Sequence, residues 1–366
     1  MKISIRFMGG NIVDDVLYFS ASNFNGLFKM KLDTQTVHFI DSFIDTPLNL
    51  QSIHRSCLVY NRWLIFIPMN SDKIHFVNID NHEQRSVRVT DGTQDPAIAD
   101  AIIVGNLLYV FPAKKGQPSM IVHLDDMKVE TLDKFNEQYN SIVPDSPHKS
   151  KIVSVGAVIR DDSIYMGLYS QNKVLKYNLK SEIMEMIDTQ INSIFDVYNG
   201  KDGIWVSDLD GKQIELLSDR HKIYETEEKK TYRRILDLGE YIYLIPGNAD
   251  EISMIKGTKV PVNMKYPDEF KTLERLKVNK FFGYKIYNDD IYLFPYAHDN
   301  MLVISGDKLR TVKTVYETDP AGSDPKQLIE TIQAYRGRII RENGGLITES
   351  PEFTLDSYME YIGLLD

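Results

Sequence analysis

Short apolar phrases recur along the chain, far apart and at a regular spacing. VLYF, WLIFIP, LLYVFP, YIYLIP and IYLFP are each apolar at consecutive positions, and each follows a turn-forming pair. A strand with one wet face alternates apolar and polar residues, so consecutive apolar positions predict strands covered on both faces. Aligned on their aromatic, the copies give a column of Tyr18, Ile65, Tyr109, Tyr165, Trp205, Tyr243 and Tyr292, at intervals of 38 to 56 residues. Just ahead of each stands a turn pair: Asp14-Asp15, Asn61-Arg62, Gly105-Asn106, Asp161-Asp162, Lys201-Asp202, Gly239-Glu240 and Asn288-Asp289. Most of these residue types accept positive φ or bond their own backbone, as tight hairpins require.

A second column follows seven to nine residues later, at Gly26, Asp72, Pro118, Asn172, Lys212, Asp250 and Asn300. It introduces alternating strands such as LFKMKL, KIHFVNI and KVLKYNL, and a more polar last strand completes the period, as in KLRTVKTV (308–315). The unit is a four-stranded antiparallel meander. A β-sandwich has no reason for a period near 45 residues, and a β-helix repeats over a shorter one; blades stacked radially cover both faces of their inner strands. The pattern therefore predicts an all-β fold, a seven-bladed β-propeller of four-stranded antiparallel blades, over residues 1–316.

On these columns the chain resembles a divergent bacterial β-propeller of the kelch-like kind. The kelch double glycine after the second strand is missing, with Gly9-Gly10 and Gly344-Gly345 elsewhere. Trp63 is followed by Leu and Trp205 by Val, so the WD dipeptide is absent too. The resemblance thus implies architecture and carries over no functional residue.

Beyond the repeats the pattern changes to helical spacing. Asp324-Pro325 suits a helix start and Gly344-Gly345 a stop, with Leu328, Ile332, Tyr335 and Ile339 on one face. A second short helix is expected from Thr354, so residues 317–366 are expected to form a helical appendage packed on the propeller. Three connections between blades, 131–151, 218–234 and 262–280, look like long loops, the last with a helix near Pro267.

Composition narrows the function. A formal charge of −10 argues against nucleic acid, which needs a basic stripe to displace counterions. The opening MKISIRFMGG lacks the apolar core of a signal peptide, and no stretch has transmembrane length, so no membrane insertion and a cytoplasmic location are expected. Cys57, in the apolar run SCLVY, reads as a buried small hydrophobe. The eight histidines show no metal-ligand spacing, and no phosphate loop or nucleophile elbow is present, so no catalytic residue, metal site or cofactor is assigned. SDLDGK (207–212) begins like a calcium loop but lacks the later ligands.

Candidate ligand-binding residues are placed on the ends of the blades that carry the longer loops. There the innermost strands begin, with His54, Arg55, Asp100, Arg233, Arg234 and Lys280, and the loops between second and third strands add Tyr296 and His298. The adjacent pair Arg233-Arg234, on an acidic chain, suits a carboxylate or phosphate. Two functions fit. One is a non-catalytic binding or scaffolding module for a protein or glycan partner. The alternative is a sugar-active propeller enzyme, an epimerase, mutarotase or hydrolase, with Arg233 or Arg234 holding an anionic sugar and His54 or His298 moving a proton.

Overall fold

The computed structural model describes residues 6–316, apart from 23, 49, 90–97, 147–150, 170, 210–212, 226–231, 248, 257–261, 276–279, 296–297 and 299. The appendage expected over 317–366 lies outside the described residues.

Seven four-stranded antiparallel sheets, the blades of a β-propeller, follow one another along the chain. Blade 1 is β1 (Phe7–Val13), β2 (Val16–Ala21), β3 (Leu27–Lys31) and β4 (Thr36–Asp41). Blade 2 is β5 (His54–Tyr60), β6 (Trp63–Pro68), β7 (Lys73–Asn78) and β8 (Gln84–Arg88). Blade 3 is β9 (Ile98–Val104), β10 (Leu107–Pro112), β11 (Met120–His123) and β12 (Val129–Thr131), followed by helix α1 (Asp133–Ile142). Blade 4 is β13 (Ser154–Arg160), β14 (Ser163–Leu168), β15 (Lys173–Asn178) and β16 (Met184–Asp188). Blade 5 is β17 (Ile194–Asn199), β18 (Ile204–Asp208), β19 (Gln213–Leu216) and β20 (Asp219–Glu225). Blade 6 is β21 (Tyr232–Asp237), β22 (Tyr241–Pro246), β23 (Glu251–Lys256) and β24 (Val262–Lys265), followed by a 3-10 helix, Asp268–Arg275. Blade 7 is β25 (Phe281–Tyr287), β26 (Asp290–Pro295), β27 (Met301–Ser305) and β28 (Lys308–Val312), after which β29 (Val315–Tyr316) joins blade 1.

The described chain forms two compact units. One holds the residues up to Arg88, Phe282–Val303 and those from Thr311; the other holds Val89–Phe281 and Ile304–Arg310. In the first unit, Phe7, Phe19, Phe28 and Phe39 share a core with Tyr292, Phe294 and Val303. In the second, Tyr109, Phe111, Ile164, Met166 and Leu168 pack with Phe135 and Tyr139 of α1.

The second strands are buried as their consecutive apolar residues require. In β2, β6, β10, β22 and β26 every residue after the first is buried. The turn pairs are tight: Asp14-Asp15, Asp161-Asp162 and Asn288-Asp289 all have positive φ, the two-residue geometry that matches strand twist. Where the third and fourth strands join, Gln35, His82, Met127 and Glu182 take the left-handed position that glycine usually fills.

Two of the expected long loops contain strands. Residues 218–234 contain β20 and the start of β21; 262–280 begins with β24 but then leaves the blade, and the helix expected near Pro267 is the 3-10 helix Asp268–Arg275. The polar composition of β20 and β24 belongs to outermost strands, which pack on one side only. The connection 131–151 contains α1, which carries too few apolar residues to announce itself. Ten residues cannot sustain a helix in water. Burial of Phe135, Tyr139 and Val143 holds it, with Asn136 bonded to both the N–H and the carbonyl of Ser119.

Candidate functional site

The innermost strands share a feature that repeats with the blades. In β5, β9, β17 and β21 the pairing to the second strand skips one residue, so that His54, Ile98, Ile194 and Tyr232 pair at one level and Ser56, Asp100, Asp196 and Arg234 at the next. The residue between is a β-bulge, which redirects the strand at the loop end of the blade. The first residue points inward: Phe7, His54, Ile98, Ser154, Ile194, Tyr232 and Phe281 are all buried. The two halves of each dipeptide nominated from the sequence therefore have different fates.

In the second unit this register places Asp100, Asp196 and Arg234 at equivalent positions. Asp100 accepts the N–H of Ala101 at 2.9 Å through Oδ1 and that of Ala157, in blade 4, at 3.1 Å through Oδ2. Asp196 accepts the N–H of Val197 at 3.0 Å, and its Oδ2 stands 3.2 Å from Nε of Arg234 in blade 6. Both side chains of that pair are 26% exposed. Gly156 makes the approach possible: it has φ of +60°, and a Cβ there would lie 2.7 Å from Oδ1 of Asp196. Arg233 is the bulged residue ahead of Arg234.

Lys280 precedes the first strand of blade 7, and its side chain is wholly buried. Nζ donates to Oδ1 of Asp250 at 2.7 Å, while Asp250 itself is largely exposed, and the ammonium lies 5.6 Å from the Tyr266 ring centre. A buried amine requires such a partner.

In the first unit His54 is enclosed. Its Nε2 lies 2.9 Å from Nδ1 of His75, its Nδ1 lies 3.1 Å from Ser20 Oγ, and Phe43 and Phe66 pack on the ring. His75 Nε2 donates to the carbonyl of Ile44 at 3.1 Å, which leaves its Nδ1 to accept from His54, and His54 Nδ1 to accept from Ser20. This is the arrangement of protons with both rings neutral. Burial holds His54 well below the ordinary histidine range and brings His75 down to about 4. Arg55 is the half-buried bulge residue beside it. His298 is half-buried, its Nδ1 accepting the N–H of Asn300 at 3.0 Å, and Tyr296 lies outside the described residues.

Repeat register accounts for the histidine pair. His54 and His75 occupy the same two positions as Phe7 and Phe28 in blade 1 and as Tyr232 and Ser253 in blade 6, where Tyr232 OH and Ser253 Oγ are 2.7 Å apart. No sequence motif marks this pair; only alignment of two strands in register does.

The opposite ends of the blades, with the tight turns, are tied blade to blade. In the first unit Arg62 bonds Asp14 at 2.7 Å and Asp80 at 2.6 Å, and Tyr287 OH donates to Asp15 at 3.0 Å. In the second, Arg160 donates to Asn199 Oδ1 and the carbonyl of Gly200, both at 2.8 Å. Buried Asp237 accepts from Trp205 Nε1 at 3.1 Å, from the N–H of Asp202 at 3.2 Å and from that of Gly239 at 2.9 Å. The acidic turn residues thus act in turns and ties. Cys57 is buried, which pushes its thiol up to about 12, far from a thiolate nucleophile. Among the described residues, no group of three or more histidine, cysteine, aspartate or glutamate side chains is arranged to hold a metal, and no helix is long and apolar enough to cross a membrane.

Fold and repeat geometry define the chain as a β-propeller, and solved propellers are similar to it. Virginiamycin B lyase from Staphylococcus aureus, in a catalytically inactive form with quinupristin, has a TM-score of 0.57 at 11% identity over 84% of this chain and 94% of that one. The extracellular domain of a putative hybrid two-component system from B. thetaiotaomicron has a TM-score of 0.59 at 12% identity, covering 84% of this chain and 40% of that one. BamB from Moraxella catarrhalis has a TM-score of 0.50 at 12% identity, over 84% and 85% of the two chains. At such identities the likeness is one of fold. No family model matches the chain, and no curated protein does.

Proposed function

We propose that this chain is a binding propeller that offers the loop ends of its blades to a protein or glycan partner and catalyses no reaction. The observation that carries the reading is the Arg234–Asp196 pair in the second unit. A cation and a carboxylate, each about a quarter exposed, stand at the starts of their inner strands. Such a pair can exchange part of its bonding for the carboxylate or hydroxyl groups of a ligand. Arg233, next in sequence, adds a second guanidinium to the same strand start.

The enclosure of His54 weighs for binding over the sugar-active enzyme reading. A proton carrier has to reach its substrate, and both ring nitrogens of His54 are occupied inside the blade. Fold neighbours include a lyase as well as an extracellular domain, so fold by itself favours neither reading.

The test is a binding screen against acidic oligosaccharides and acidic peptides, comparing the natural chain with Arg233→Ala/Arg234→Ala and with Arg62→Ala at the turn ends. The natural chain is expected to bind at least one probe, the double variant to lose it, and Arg62→Ala to keep it. Equal binding by the double variant, at unchanged melting temperature, refutes the assignment.

A further inference from the structure

The chain leaves blade 7 without stopping at its outer strand. After β28 the N–H of Lys313 donates to Oε1 of Gln35, in the outer turn of blade 1, at 2.8 Å. The N–H of Thr314 donates to Oδ1 of Asn300 at 3.3 Å. Then β29 adds to the outer strand of blade 1 in parallel, Val315 opposite Thr36 and Tyr316 opposite Val37. Blade 1 thereby becomes a five-stranded sheet, the one sheet of that size among the described residues.

Burial supports the same assignment independently. In β4, Thr36, Val37 and Phe39 are all buried. The outer strands β12 and β24 are almost wholly exposed, and β8 has no buried residue. An outer strand with free N–H and C=O groups is an open template for another strand, and among the described outer strands β4 is the one whose edge is taken.

Among the described residues each blade is built from one continuous stretch of chain, and no exchanged strand joins the last blade to the first. Within the first unit they are joined by a shared core, in which Phe294 packs on Phe7 at 6.2 Å between ring centres beside Tyr292 and Val303, by the Tyr287–Asp15 bond, and by the path of residues 313–316. We propose that the outer edge of blade 1 is a docking edge whose occupant is the chain's own segment Lys313–Tyr316, a strap that ties blade 7 to blade 1. The occupant is argued from covalent continuity, from the two side-chain acceptors that receive its backbone, and from the burial of β4. The inference concerns ring closure and stands apart from the proposed binding of a partner.

Hydrogen exchange of the full chain tests it. In the natural protein, amides of β4 are expected to exchange at least about tenfold more slowly than those of β8, as for an outer strand with one or two further hydrogen bonds. In Val315→Pro/Tyr316→Pro, β4 is expected to approach the β8 rate while β8 stays unchanged. Equal rates for β4 and β8 in the natural chain, or no change at β4 in the variant, would overturn the strap. Should the proline variant fail to fold, Gln35→Gly supplies the second measurement. It relieves a left-handed residue, so the turn is eased, yet removes the acceptor for Lys313. Faster exchange confined to β4 supports the strap, and unchanged exchange there overturns it. Dimers of the proline variant that restore protection to β4 would also support it, by showing that the bared edge accepts a strand.

Discussion

Acid should weaken this fold through a buried pair of histidines before its carboxylates begin to titrate. The perturbation is a drop from pH 7 to pH 5. In the folded chain His75 is brought down to about 4 by burial, against an ordinary 6.5, and His54 is lowered for the same reason. Burial is what opposes the charge on both rings; the bond from His75 to the Ile44 carbonyl favours the charged ring but is outweighed, and His54 is enclosed between Ser20 and His75. Lys73 disfavours the charge on His75, while Asp45 and Asp72 favour it less strongly than burial opposes it. The unfolded chain binds protons at both histidines below about pH 6.5 and the folded chain does not, so stability falls with falling pH from there to about 4.

For His75 alone, the difference between 6.5 and about 4 removes about 2 kcal/mol between pH 7 and pH 5. His54 adds in the same direction. Against a domain stability of roughly 5–15 kcal/mol, that is a measurable share. The assay is urea denaturation at half-unit steps from pH 7.5 to 4.5, for the natural chain and for His54→Phe/His75→Phe. That variant copies the pair Phe7 and Phe28 found at the same two positions in blade 1. The natural midpoint should fall steadily below pH 6.5, and the variant should stay nearly level until carboxylates titrate. Parallel curves for the two proteins would refute the argument, because the acid sensitivity would then lie elsewhere.

Two further predictions concern single positions. Asp237→Ala leaves the indole N–H of fully buried Trp205 without its acceptor and opens two backbone bonds at the turn, so a loss of roughly 2–4 kcal/mol is expected in thermal or urea denaturation. Asp162→Gly removes a left-handed aspartate from a two-residue hairpin turn, where only an exposed bond to Lys180 is lost. A gain of about 0.5–1 kcal/mol in the same measurement is expected.

The architecture was legible because it depends on local patterns repeated seven times. Consecutive apolar residues mark a strand covered on both faces, and Asp-Asp or Asn-Asp pairs mark turns with positive φ; both signals lie within one stretch of chain. Helix α1 was not legible, since its stability comes from Phe135 and Tyr139 entering a core built by blades 3 and 4. The outer strands β20 and β24 read as loops because their sequences are largely polar, and in β24 three of the four residues are exposed. Candidate residues were less legible still. His54-Arg55 and Arg233-Arg234 look alike as dipeptides, yet the bulge falls on the second residue of one and the first of the other, with His54 and Tyr232 buried ahead of it.

What the sequence by itself determined is the repeating unit, its count and the geometry of its turns, because those follow from side-chain size, polarity and backbone preference within a few residues. Only the tertiary structure decided which groups meet: Asp196 with Arg234 across the starts of two blades, His54 with His75 inside one, and Tyr316 beside Val37 nearly three hundred residues away in the chain. The physical reason is register. A shift of one residue in a strand exchanges its two faces, and register is set by bulges and neighbouring blades rather than by the residues that it brings together.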